Sequence, residues 1–202
     1  MGRMTLITYG HGAEPAGRTI ALLQAAAIGL VVDIRIAPGS RRNPQFAKAE
    51  LERWLPEAGI GYRWDKRLGG YRKPSPGNPD IAWREDMYRG YAEHMRGPDF
   101  LAAITRVLAE AAGLPPEPGP VLPETGTAPA EATTRRLAVM CSESSWHHCH
   151  RRLVADFAQV ARDVPVRHLG HDGSLAEHVP SAGLRLRGDG LLVYDFGQQS
   201  LL

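Results

Sequence analysis

Residues 137 to 157, LAVMCSESSWHHCHRRLVADF, hold both cysteines of the chain, three of its eight histidines, a glutamate and two adjacent arginines. Four chemistries suit such a set: a disulfide, a metal clamp, a nucleophile with its helper, or two small apolar residues in a core. In a reducing compartment a structural disulfide is the least favoured. Cys141 stands where a strand hands over to a loop. There it reads as a nucleophile if a cation or helix end lowers its pKa, as a ligand, or as a small buried strand-end residue. The phosphatase pattern of cysteine, five residues and arginine is absent, because His147 occupies the sixth place and the first arginine is Arg151. Cys149 begins a stripe with Leu153, Val154 and Phe157 that faces inward on a helix, and packing is its favoured reading. A metal set can be drawn from Cys141, Cys149, His147, His148 and His150, and its soft ligands would suit zinc or iron. Against it, seven residues between the cysteines is not a knuckle spacing, and no second pair follows. No cofactor is therefore required by the sequence.

Other reactive side chains lie further away in the chain. Asp33 and Glu143 are candidates for acid and base work, with an ion pair to a neighbouring arginine as the alternative for Asp33. His11, in a Gly-His-Gly turn, has no apolar face to complete and reads as functional. Arg35, Ser40, Arg41, Arg42, Arg72 and Arg151 offer anion contacts. Residues 35 to 89 hold twelve Lys or Arg against seven Asp or Glu, although the net charge is only +2. Tyr71, Trp83, Tyr88 and Tyr91 lie among these charges and could stack bases, but the helical spacing of Trp83, Met87 and Tyr91 favours a core.

These residues depend on regular elements to bring them together. TLITYGH (5 to 11) and LVVDIRI (30 to 36) are near-continuous apolar strands. Between them lies a helix expected to stop at Gly29, and the three form a βαβ unit. A helix over 46 to 58, a short strand over 60 to 64, a loop over 67 to 82 and two helices divided at Gly97-Pro98 follow. The segment 112 to 134, with six prolines, reads as a disordered surface insertion within one domain. LAVMCSE (137 to 143) is again a buried strand, SWHHCHRRLVADFAQVA a helix and VPVRHLG a strand. From about 171 the tail mixes turn signals with a short hairpin. The expected architecture is a single α/β domain over 1 to 202, a three-layer open, mostly parallel sheet flanked by helices. Ligands of such sheets sit beyond the carboxyl ends of the strands, which selects His11, Asp33, Arg35, Cys141 and Glu143.

Several elements occur together in order: Gly10-His11, VVDIR over 31 to 35, Pro38 with Ser40-Arg41, Phe46, GIGY over 59 to 62, Leu68-Gly69-Gly70 and Arg72. With Cys141-x-Glu143 and Cys149-His150-Arg151, the set resembles the domain-of-unknown-function-488 family over about 5 to 110 and 137 to 170. The resemblance implies a bacterial or archaeal cytosolic α/β domain and a site at these residues, but no reaction.

The leading expectation is an enzyme acting on a phosphate-bearing nucleotide or nucleic acid. The arginine loops would hold the anion, and His11, Asp33, Cys141 and Glu143 would do the chemistry. The alternatives are a non-catalytic nucleic-acid-binding module on the basic 35 to 89 surface, and a metal or redox protein centred on Cys141 and Cys149. The opening residues run into a strand rather than a leader, and no apolar run is long enough to span a bilayer. The expected compartment is the cytoplasm, with no membrane partner.

Overall fold

The computed structural model of the chain describes residues 4–39, 41–114 and 136–197. The insertion expected over 112 to 134 lies almost wholly outside these residues, as does Ser40.

The apolar runs become strands and the amphipathic ones helices. In chain order they are β1 (Leu6–Gly10), α1 (Ala16–Ala25), β2 (Ile28–Asp33), α2 (Lys48–Glu57), β3 (Gly61–Trp64), α3 (Asp86–His94), α4 (Pro98–Ala111), β4 (Arg136–Cys141), α5 (Arg151–Asp156), β5 (Val166–Leu169), β6 (Leu175–Glu177), β7 (Leu184–Leu186) and β8 (Leu192–Tyr194). Six strands form one sheet in the order β3-β2-β4-β1-β5-β6, and β7 and β8 pair separately. The first five strands of that sheet run parallel. The edge strand β6 is antiparallel to β5, so the sheet is mixed, with helices on both faces.

Alternation along the strands divides the core into two layers. Ile7, Tyr9, Val31, Ala138 and Met140 pack with Leu22, Leu23, Leu51 and Leu55 of α1 and α2. Leu6, Val32, Leu137, Val139 and Cys141 point the other way, onto Tyr91, Phe100, Ile104 and Val154 of α3, α4 and α5. Trp83 packs against this second layer, where Tyr88 and Tyr91 are buried. Those three aromatics thus belong to the core, and Tyr71 alone of the four is well exposed.

The topology makes a crevice. The chain leaves β1 through α1 toward β2, and leaves β4 through α5 toward β5, on opposite faces. Because β4 and β1 are neighbours, the two connections diverge above their carboxyl ends, which is where α/β sheets bind ligands. The start of β4 lies at the opposite edge, where the Arg136 amide bonds the Ala27 carbonyl.

Two local expectations are corrected. The helix expected to run to Gly29 ends at Ala25 with Ala26 as its cap, and Ala27 turns the chain at φ 56°. Gly29 is thereby freed to lie inside β2. The helix expected over 145 to 161 is broken into a 3-10 turn at Trp146–His148, the short α5 and a π-helical turn at Phe157–Ala161. Cys149 lies between the first two pieces with an extended backbone, φ −130° and ψ 147°. It is therefore not on a helix, and its thiol is turned back toward the end of β4.

Candidate functional site

A pocket of about 430 Å³ opens above the carboxyl ends of β1, β2 and β4. Its lining includes His11 just past β1, Arg35 just past β2, Cys141 and Glu143 from β4 and its loop, and Cys149 and His150 from the entry to α5. Segments remote in sequence meet there because β4 is inserted between the first two strands.

Three side chains converge on one point. The sulfurs of Cys141 and Cys149 each lie 3.8 Å from Nδ1 of His150. All three donor atoms fall within 4.8 Å of one another, and all three residues are buried. The other imidazole nitrogen, Nε2, is 3.1 Å from the carbonyl oxygen of Ile34. A carbonyl only accepts, so Nε2 donates to it, and Nδ1 is the nitrogen that faces the sulfurs. Gly70 lets the ring sit there, since a Cβ at that position would meet Nδ1 at 3.0 Å.

The sulfurs have their own supports. Arg151 donates from Nε to Cys149 at 3.4 Å, and the Ser142 amide supports the Cys141 thiolate. Burial opposes ionisation of Cys149, but the hydrogen bond from Cys141, with His150 and Arg151, outweighs it and holds the thiol well below its usual range. Cys141 is pushed up by that same pairing and by burial. The pairing thus makes Cys149 the more acidic of the two thiols.

Arg151 is 1% exposed and is the largest fully buried side chain among the described residues. It also donates from Nη2 to the carbonyls of Glu143 and Ser144, which pins the loop after β4 over β1. Gly10 makes this approach possible: a Cβ there would lie 1.8 Å from the Glu143 oxygen. Among the described residues no carboxylate pairs with Arg151, whose partners are one sulfur and two carbonyls.

On the other face of the sheet, Asp33 is fully buried. It accepts from the Arg35 amide at 3.0 Å, from Arg35 Nε at 2.9 Å and from Tyr62 at 2.8 Å, and it pairs with Arg35 Nη2. Its carboxylate does not line the pocket and instead orients Arg35, the residue that does. The third guanidinium nitrogen, Nη1, lies 3.3 Å from Nε2 of His11. His11 donates from Nδ1 to the Gly12 carbonyl at 2.8 Å and stacks on Phe46 with centroids 3.9 Å apart. Burial, and then the Arg35 charge, lower its pKa to about 4, so it stands neutral with Nε2 as the acceptor.

The remaining sequence candidates are dispersed. Glu143 has an exposed side chain at the pocket wall. Arg41 and Arg42 are exposed and outside the lining. Arg72 is half-buried against His94, 3.5 Å away. His147 is exposed and stacks on Trp146 away from the thiols, and His148 lines the pocket without joining the cluster.

One buried chain of polar groups has no counterpart among the residues singled out from sequence. Thr8 bonds His168 at 2.6 Å, His168 bonds His178 at 3.0 Å, and His178 bonds Asp156 at 2.9 Å. Asp156 also accepts from the Ser181 hydroxyl at 2.6 Å and from Tyr194 at 3.0 Å. As Asp156 can only accept, His178 donates to it from Nε2, while burial holds His168 neutral with its pKa lowered to about 3. Trp146 stacks on His168 at 4.0 Å. The available signal was an aspartate on the inward side of a helix, which needs buried donors.

A family model described as Domain of unknown function DUF488 matches residues 15–113 and 126–158, more than half of the chain. No curated protein and no solved structure matches it. Among the described residues no helix is long and apolar enough to cross a membrane.

Proposed function

Because the chain belongs to the DUF488 family, whose description names no activity, its role must come from its own site, and we propose that it is a metalloprotein. Cys141, Cys149 and His150 hold the ion, and one coordination position opens on the pocket. The observation that carries this is the spacing of the donors. A tetrahedral ion with bonds of about 2.3 Å to sulfur and about 2.0 Å to nitrogen requires nitrogen–sulfur edges of about 3.6 Å. The two edges measured here are 3.8 Å.

The surroundings support the same reading. A ligating imidazole ordinarily donates its other N–H to a carbonyl or carboxylate, as His150 does to Ile34. Amide and guanidinium N–H groups stabilise the thiolates. Two sulfurs and one nitrogen favour zinc, with iron as the competitor. Three protein ligands beside a pocket match the open geometry of a catalytic ion rather than the closed set of a structural one. Spacing along the chain conceals the site because one ligand ends a strand and the other two precede a helix.

The test is elemental analysis of the purified protein. One zinc or iron per chain is expected, with loss on Cys141→Ser, Cys149→Ser or His150→Ala and retention on His147→Ala. A folded, metal-free wild type that takes up neither ion would overturn the reading. A dithiol redox role is the second reading, favoured by two buried thiols close together, the more acidic of which is Cys149. A metal-free chain that cycles between two thiols and a disulfide in glutathione buffers would select it.

The nucleotide or nucleic-acid substrate expected from the arginine-rich segment has weaker support. Of its arginines only Arg35 reaches the pocket, and Arg41, Arg42 and Arg72 lie apart from it.

A further inference from the structure

Resting on the metal reading above, we propose that the pocket takes a small organic carboxylate, anchored on Arg35 and directed at the open coordination position. The argument begins with the geometry of Arg35. Asp33 holds its Nε and Nη2 in a two-pronged pair, which fixes the plane of the guanidinium and turns Nη1 toward the pocket. Nη1 carries two hydrogens, and among the described residues the acceptor it reaches is His11, at a long 3.3 Å. His11 is pinned by Gly12 and Phe46 and so holds that edge in place. A buried cation fixed from behind, with a donor edge left toward a cavity, is how planar oxyanions are recognised.

The charges of the site decide between classes of anion. A divalent ion on two thiolates is neutral, and Asp33 neutralises Arg35. Arg151 then leaves one positive charge under the pocket floor, with no carboxylate partner among the described residues. Glu143 is exposed at the rim, where water screens it. One surplus positive charge suits a monoanion. A phosphate would bring close to two negative charges and would need more donors than this single edge presents. A carboxylate needs two contacts, one on the Arg35 edge and one at the ion. The pocket volume, about 430 Å³, lies within the range of about 300–1,000 Å³ typical of small-molecule sites. Ile36, Ala37 and Met87 in the lining offer an apolar wall for the rest of such a molecule.

The experiment is calorimetric titration of the zinc-loaded full chain with propionate, a monoanion at neutral pH, and with uncharged propionamide as its isostere. Propionate is expected to bind and propionamide to bind at least roughly tenfold more weakly, the loss expected for a charge-assisted contact. Arg35→Gln alone would strand the Asp33 carboxylate, so the informative variant is the pair Asp33→Asn with Arg35→Gln, checked for fold and zinc content. It should lose propionate binding by a similar factor. Equal binding of the two compounds, or unchanged propionate affinity in the paired variant, overturns the proposal. Should the chain prove unable to hold zinc, the metal reading fails by itself, and propionate is titrated into the zinc-free protein. Binding that the paired variant loses then supports the Arg35 anchor, and absence of binding overturns it.

Discussion

The Nε2–H of His150 donates to the carbonyl of Ile34 over 3.1 Å, joining residues 116 apart in sequence. The contact ties the entry of α5 to the chain just past β2 and orients the ring so that Nδ1 faces two sulfurs. The donor set is thus assembled by the fold itself, from groups that the backbone already holds in place.

The support from Arg151 can be removed without touching a ligand. Arg151→Met deletes the N–H bond to Cys149 and the clamp on the Glu143 and Ser144 carbonyls. Loss of such an outer contact typically weakens metal affinity by about 10–100-fold. Competition with a chelator should show a drop in that range. A dissociation constant equal to that of the wild type would mean that Arg151 does not serve the ion.

Gly10 and Gly17 make a matched pair. A Cβ on Gly10 would lie 1.8 Å from the Glu143 oxygen and 2.4 Å from the Arg151 guanidinium, whereas one on Gly17 meets nothing within 4 Å. Gly10→Ala should cost about 1–3 kcal/mol through forced displacement and should also loosen the ion. Gly17→Ala, in the first turn of α1, should be neutral or stabilising by up to about 1 kcal/mol. Urea midpoints measure both, and equal midpoints would contradict the close approach described above.

Asp33 and Arg35 are both buried, so breaking the pair strands a charge. Asp33→Asn should destabilise by about 3–5 kcal/mol. Adding Arg35→Gln should recover much of that loss. The double-mutant cycle reads the coupling, and strictly additive effects would show that the two side chains act separately.

Acid sensitivity should come partly from His168. Burial, with help from the nearby His178 and Arg151, lowers its pKa from 6.5 to about 3 in the fold. An unfolded chain takes up that proton as pH falls through about 6.5, whereas the fold refuses it until about 3. Between these values the unfolded state binds more protons, so this contribution to stability is complete above pH 6.5 and shrinks as pH falls toward 3. Its size is on the order of a few kcal/mol. Denaturation midpoints measured across this range should fall with pH, and His168→Gln should flatten the slope. The same slope in both proteins would remove His168 as the cause.

Much of the architecture can be read from local patterns. The runs containing Val31-Val32 and Val139-Met140 are apolar on consecutive residues because helices cover both faces of the sheet. The carboxyl-edge rule then places His11, Arg35, Cys141 and Glu143 around one crevice without further information. What local patterns miss is non-local. The insertion of β4 between β1 and β2 is decided by packing across the whole chain. The spacing of Cys149, Leu153 and Val154 reads as a helical stripe, but the bond from Arg151 to the loop and the extended backbone at Cys149 turn the thiol to a ligand position instead. Tyr62, 29 residues beyond Asp33, seals that carboxylate from a neighbouring strand, and nothing near Asp33 in the sequence announces it.

β4 enters at Arg136 and delivers Cys141 five residues later, about 17 Å away at roughly 3.3 Å per residue. The exposed Arg136 therefore stands at the end of the strand remote from the thiols. That separation gives an experimenter a tether point, where a fluorophore or an affinity handle can be carried a full strand's length from the ligand cluster.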